Sequence, residues 1–118
     1  HIFVRPGKYY VPDVTLAAAG YTLNAHDQLT DPVAIFEVAS PSTVRKDQGE
    51  KLRAYTGIQS LQTYVLVSQE EPLVERYLRE DDGWKFAYFL VEDEEFSLGA
   101  IPITLKIKDL YKGLRANK

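Results

Sequence analysis

The sequence predicts an α/β domain: a mixed β-sheet with one central crossover helix and a β-rich C-terminal half. Three observations carry that expectation. Val33–Ala39 and Gln62–Val67 are near-continuous apolar runs without period-two alternation, as strands covered on both faces are. A single helical stretch separates them, so strand, helix and strand fit within roughly 35 residues, the size of a right-handed parallel crossover unit. Leu73–Arg79 and Trp84–Leu90 then flank Glu80-Asp81-Asp82-Gly83, a hairpin turn with glycine where positive φ is expected.

The 118 residues are enough for one domain with a real core and too few for two. Hydrophobic residues at 45% and charged ones at 26% are those of an ordinary soluble globular chain. Without cysteine there is neither a disulfide framework nor a zinc-thiolate site, which fits a cytoplasmic location. No apolar run approaches the ~20 residues of a membrane span, so no membrane partner is expected. A net charge of −3 argues against holding nucleic acid by bulk electrostatics, yet it permits acids that hold a divalent cation against phosphate. The chain begins at His1 and contains no methionine, so the expectation is a single domain over 1–118 that lacks an N-terminal portion.

Taken in order, Ile2–Val4 reads as the tail of a strand, Arg5-Pro6-Gly7 as a turn and Tyr9–Val11 as a strand. Pro12 has no N–H for a ladder, so Asp13 follows a break in pairing beside the apolar segment Val14–Ala19. Asn24–Pro32 is a polar, turn-rich loop. Ser42 or Thr43 is placed to cap the central helix, and Gly57 to end it in a left-handed conformation. Trp84, Phe86, Tyr88 and Leu90 alternate with Lys85 and Ala87, predicting one buried face. Glu92–Glu95 is an acidic loop. Phe96–Leu98 and Ile103–Ile107 are short strands, and Asp109 is placed to cap a last helical turn.

Two residues stand out of place. Glu37 is a carboxylate inside a strand that reads as buried. At about 100° per residue, with Val44 at zero, Tyr55 falls near 20°, Gln48 near 40° and Leu52 near 80°. On the same scale of about 100° per residue, Lys51 lands near 340° and Asp47 near 300°, with Lys46, Glu50 and Arg53 on the far side. Lys51 therefore belongs to the apolar stripe, flanked by Asp47 and Gln48, facing the sheet that holds Glu37. Metal-assisted phosphodiester cleavage needs hard oxygen ligands and an open position, and a nearby cation steadies the developing charge. Asp13 and Glu37 could supply the carboxylates, the Val38 carbonyl a third ligand, and Lys51 the cation.

The run Tyr10-Val11-Pro12-Asp13-Val14, then Asp31-Pro32, then Glu37-Val38-Ala39-Ser40-Pro41-Ser42-Thr43, with Arg45, Asp47, Glu50-Lys51-Leu52 and Tyr55, resembles the Uma-type restriction endonuclease family. That family is a domain-of-unknown-function branch of the PD-(D/E)XK, restriction-endonuclease-like superfamily. Thr63–Val67 and Leu73–Arg79 fit its pattern too, so the resemblance runs from Tyr9 to about Leu114. It implies a restriction-endonuclease-like core, Asp13 and Glu37 as metal-binding acids, Mg²⁺ as cofactor with Mn²⁺ able to substitute, and DNA as substrate. Superfamily members carry a lysine two residues after the second acid, where this chain has Ala39; the resemblance implies that Lys51 replaces it. It also implies a further N-terminal helix with an acid, which this sequence does not contain. Restriction-type enzymes often act as dimers, so a homodimer through the C-terminal half is one expected assembly.

Duller readings accompany these. Glu37 and Lys51 could form a structural ion pair, although buried pairs stabilise poorly. Asp47 and Lys51 are four apart, a routine helix spacing, and Asp47 with Gln48 is assigned a supporting place around the site. Pro12-Asp13 is a common turn pair. Ser40 and Ser42 lack a glycine elbow, and His1 and His26 lack a triad context. The alternative function is a nuclease-fold binding or assembly module that does not cleave; RNA or a nucleotide as substrate is the third reading.

Overall fold

The computed structural model describes residues 1–5, 8–10, 13–39 and 45–116, and the backbone alone at 5, 8–10, 45–48 and 112–116. The first two strands, β1 (Ile2–Arg5) and β2 (Lys8–Tyr10), form an antiparallel ribbon. It is tied to the loop before the central strand by Phe3 N–H to Leu29 C=O at 2.9 Å and Leu29 N–H to His1 C=O at 2.8 Å.

Five strands make the central mixed sheet in the order β3 (Val14–Ala17), β4 (Pro32–Ala39), β5 (Thr63–Ser68), β6 (Leu73–Glu80), β7 (Gly83–Leu90). The β4–β5 pair is parallel and the other neighbours are antiparallel. The near-continuous apolar character of β4 and β5 has a direct cause: side chains alternate between two covered faces. Ile35 and Tyr64 enter one cluster with Tyr55, Ile58 and Leu61, whereas Ala34, Phe36, Val65 and Val67 enter a second with Phe96, Leu98 and Ile107.

The crossover helix α1 (Arg45–Thr56) lies over the first cluster, with Tyr55 fully buried and Glu50 and Arg53 exposed, as its phase requires. Its start, including Ser42 and Thr43, lies outside the described residues. Its end differs from expectation, because Gly57 does not take positive φ. The helix tightens into three-residue steps instead, Gly57 N–H to Ala54 C=O and Ile58 N–H to Tyr55 C=O, which turn the chain inward to bury Ile58 and Leu61. The Arg79 guanidinium takes over the orphaned carbonyls, donating to Leu61 at 2.7 Å, Ile58 at 2.8 Å and Thr56 at 3.2 Å.

The opposite face is covered by a hairpin of β8 (Glu95–Leu98) and β9 (Ile101–Lys106) and by helix α2 (Ile107–Ala116). Thr63 donates its hydroxyl to Leu98 C=O at 2.8 Å, pinning the hairpin to the sheet. Gly99, in the hairpin turn, takes φ +71°, which L side chains rarely adopt, and a Cβ there would also push on a terminal methyl of Leu78 at 2.9 Å. Helix α2 is longer than the single turn expected, and it starts two residues before Asp109, with Ile107 N–H bonded to Glu94 C=O. Asp109 instead places an acid in the first turn, near the positive end of the helix. Tyr111 anchors α2, its hydroxyl accepting from Leu73 N–H at 3.0 Å and lying 2.6 Å from Ser68 C=O.

The aromatic face expected to be buried on β7 is covered at Trp84, which is half-buried against the first cluster, but Phe86, Tyr88 and Leu90 are 49%, 61% and 43% exposed. Alternation is kept, but α1 is about 10 Å wide and strands are spaced about 4.8 Å, so one helix covers two or three of five strands. Among the described residues no helix is long and apolar enough to cross a membrane.

Candidate functional site

The backbone of β4 sorts its residues by side. Val33 and Ala39 point their carbonyls at β5, accepting from Gln62 and Gln69, so Phe36 and Val38 turn N–H and C=O toward β3. Strand β3 begins at Val14, opposite Phe36, so the β3–β4 ladder stops short of Val38. The side chain of Asp13 enters this gap, its Oδ2 accepting the Val38 N–H at 2.7 Å. Asp13 immediately precedes β3, and this bond seats it against Val38, the neighbour of Glu37 on β4. The Val38 carbonyl is directed to the same side of β4 as its N–H, toward Asp13.

Glu37 is 4% exposed and its side chain lies on the α1 face. Tyr55 donates its hydroxyl to Oε1 at 2.9 Å and Tyr64 donates to Oε2 at 3.0 Å. Lys51 Nζ is 3.8 Å from Oε1, an ion-pair distance beyond hydrogen-bond range, with the lysine side chain 27% exposed. Burial, with the facing Glu37 charge added, pushes the Tyr64 phenol far above its ordinary pKa, so it stays protonated and a donor. The rings are mutually packed, Tyr55 against Tyr64 at 5.3 Å and Tyr64 against Tyr77 at 6.0 Å between centroids.

The structure thus brings Glu37 and Lys51 together, and seats Asp13 and the Val38 backbone at the same end of β4. The Asp47 and Gln48 side chains, and Ser40 and Ser42, lie outside the described residues. His26 is exposed in the loop before β4. Sequence reasoning missed Tyr55 and Tyr64 as partners of Glu37, taking the first as stripe and the second as strand core. The signal was present: a tyrosine buried in an apolar run needs an acceptor for its hydroxyl, and Glu37 offers two.

Hard oxygen donors of this kind suit a small divalent cation. Two phenols occupy two of the roughly four lone-pair sites of the Glu37 carboxylate, so capacity for a ligand bond remains. Among the described residues no group of three or more His, Cys, Asp or Glu side chains converges. A largely apolar cavity of about 660 Å³, walled by Leu16, Phe36, Leu98 and Leu105, is also lined by Asp13, Glu37 and Val38. A groove of about 480 Å³ between α1 and β5–β6 carries Glu71 and Glu75, which repel phosphate.

Comparison with known proteins bears on what this arrangement does. The family model Uma2, described as "Putative restriction endonuclease", matches residues 2–108. The uncharacterized protein slr1290 of Synechocystis sp. is 31% identical over 112 residues, covering 94% of this chain and 58% of the relative. The uncharacterized protein sll1609 of the same organism is 32% identical over 98 residues, covering 80% and 55%. The chain thus spans a little over half the length of these curated relatives. A crystal structure described as "a putative nuclease belonging to DUF820" from Anabaena variabilis superposes with a TM-score of 0.66 at 18% identity, covering 89% of this chain and 61% of that one. That likeness establishes the fold, a nuclease-type mixed sheet with its crossover helix.

Proposed function

Since the chain belongs to the Uma2 family of putative restriction endonucleases, we propose that it hydrolyses phosphodiester bonds in DNA at a Mg²⁺ site built on Asp13 and Glu37. The observation that supports the reading is the Asp13 carboxylate bound to the Val38 N–H, which brings it to the residue next to Glu37 on β4. Asp13, Glu37 and the Val38 carbonyl are the residues that would hold the cation, and Mn²⁺ is expected to substitute. When bound, the cation polarises a phosphoryl oxygen and lowers the pKa of its water.

The chain's own residues do the rest. Asp13 is fixed in position by the Val38 N–H rather than by a flexible loop contact. Lys51 reaches the carboxylate end of the site from α1, in the place where an ammonium steadies charge on the attacked phosphate. Asp47 and Gln48 are assigned a supporting place beside it. DNA as substrate and a homodimer as the acting assembly belong to the same proposal.

The second reading, a nuclease-fold module that binds or assembles without cutting, draws on the net charge of −3 and on the exposed Phe86, Tyr88 and Leu90. Incubating supercoiled plasmid with the full-length protein in Mg²⁺ and in chelator separates the two. Nicking that needs Mg²⁺ and disappears in Glu37→Ala supports the nuclease; nicking that survives Glu37→Ala overturns the assigned site, and none at all favours the module.

A further inference from the structure

We propose that Tyr55 and Tyr64 are positioning residues for the metal site, a pair of phenols that fixes the plane of the Glu37 carboxylate before any cation arrives. The inference rests on the reading of Glu37 as a metal ligand and adds to it two residues on different elements. Tyr55 comes from the last turn of α1 and Tyr64 from β5, and each donates to a different oxygen, at 2.9 and 3.0 Å. One hydrogen bond leaves a carboxylate able to swing about its last torsion; two, one to each oxygen, fix that torsion. Both rings are fully buried, so neither hydroxyl has water as an alternative partner.

Lys51 cannot do this work. At 3.8 Å its ammonium contributes attraction without direction, so the aim of Glu37 is set by the phenols. Outer partners that orient a ligating carboxylate typically govern metal affinity by about 10- to 100-fold when removed. The parallel β4–β5 pair makes the arrangement possible, since it places Tyr64 on the same face as Glu37, one side-chain step away along the adjoining strand.

The test is Mn²⁺ affinity of the full-length protein, read from free Mn²⁺ by electron paramagnetic resonance, with thermal unfolding recorded for every variant. Tyr55→Phe and Tyr64→Phe remove one oxygen atom each. Both are expected to weaken Mn²⁺ binding by about 10-fold or more. Tyr77→Phe, which loses a phenol stacked on Tyr64 but not bonded to Glu37, is expected to bind as wild type. Folded Phe variants with wild-type affinity at positions 55 and 64 overturn the inference and leave the metal reading standing. Wild-type protein that takes up no Mn²⁺ overturns the metal reading itself, and this inference with it. Should Tyr64→Phe fail to fold, Tyr55→Phe decides, because its phenol holds the other oxygen.

Discussion

The Val38 N–H donates to Asp13 Oδ2 at 2.7 Å, so an acid from one strand caps the backbone of the next at the point where their ladder stops. Strand β3 begins only at Val14, so the ladder stops short of Val38 and its amide takes the Asp13 carboxylate as acceptor instead. The end of pairing thereby becomes the device that seats a carboxylate against Val38, one residue along β4 from Glu37.

Glu37 tests the cost of stranding buried phenols. In Glu37→Ala both hydroxyls lose their acceptor, each at about 1–3 kcal/mol, so the urea midpoint should fall substantially. Glu37→Gln keeps one acceptor oxygen and most of the shape, so its midpoint should lie between wild type and alanine.

Lys51→Ala should cut DNA about 10²-fold more slowly, the typical loss of one stabilising group at a transition state. Because the phenols hold Glu37, Mn²⁺ affinity in this variant should remain close to wild type. A matched loss of affinity and rate would instead place Lys51 among the groups that orient the acid.

Arg79 donates to three carbonyls where α1 ends, and its guanidinium lies 4.5 Å from the centroid of the Trp84 ring. Lysine cannot reproduce that fork. Arg79→Lys should cost about 1–3 kcal/mol in urea denaturation, since charge-assisted bonds to orphaned carbonyls are lost.

Alkaline pH should unfold the protein through its buried phenols. Tyr64, Tyr77 and Tyr111 all have pKa values raised chiefly by burial. Their raised folded-state values leave stability intact below the unfolded phenol pKa of about 10, and stability falls above it as the unfolded chain ionises first. The urea midpoint should therefore be flat across neutral pH and decline above about 10, with the Tyr64 phenolate band appearing only as the fold is lost.

How much of this was legible follows the range of each interaction. The crossover unit and the inward face of Lys51 are local patterns, periodicity over one strand and phase over one helix, and the structure agrees with both. The Tyr64–Glu37 bond depends on the register between β4 and β5, which two apolar runs do not encode separately. Gly57 read as a left-handed stop because nothing local revealed that Arg79, on a later strand, would take the carbonyls. Alternation on β7 correctly separates its two faces, but whether a face is covered depends on how far α1 reaches. Phe86 and Tyr88 lie beyond it.

The central claim stands most directly on Asp13, because β4 and α1 supply one acid and the cation but not the second carboxylate. The decisive measurement is the rate of supercoiled plasmid nicking by full-length protein as Mg²⁺ is raised, wild type against Asp13→Asn. Asparagine keeps an acceptor for the Val38 N–H, so the fold should persist while Mg²⁺-dependent nicking disappears. Wild-type nicking by a folded Asp13→Asn protein would contradict the account.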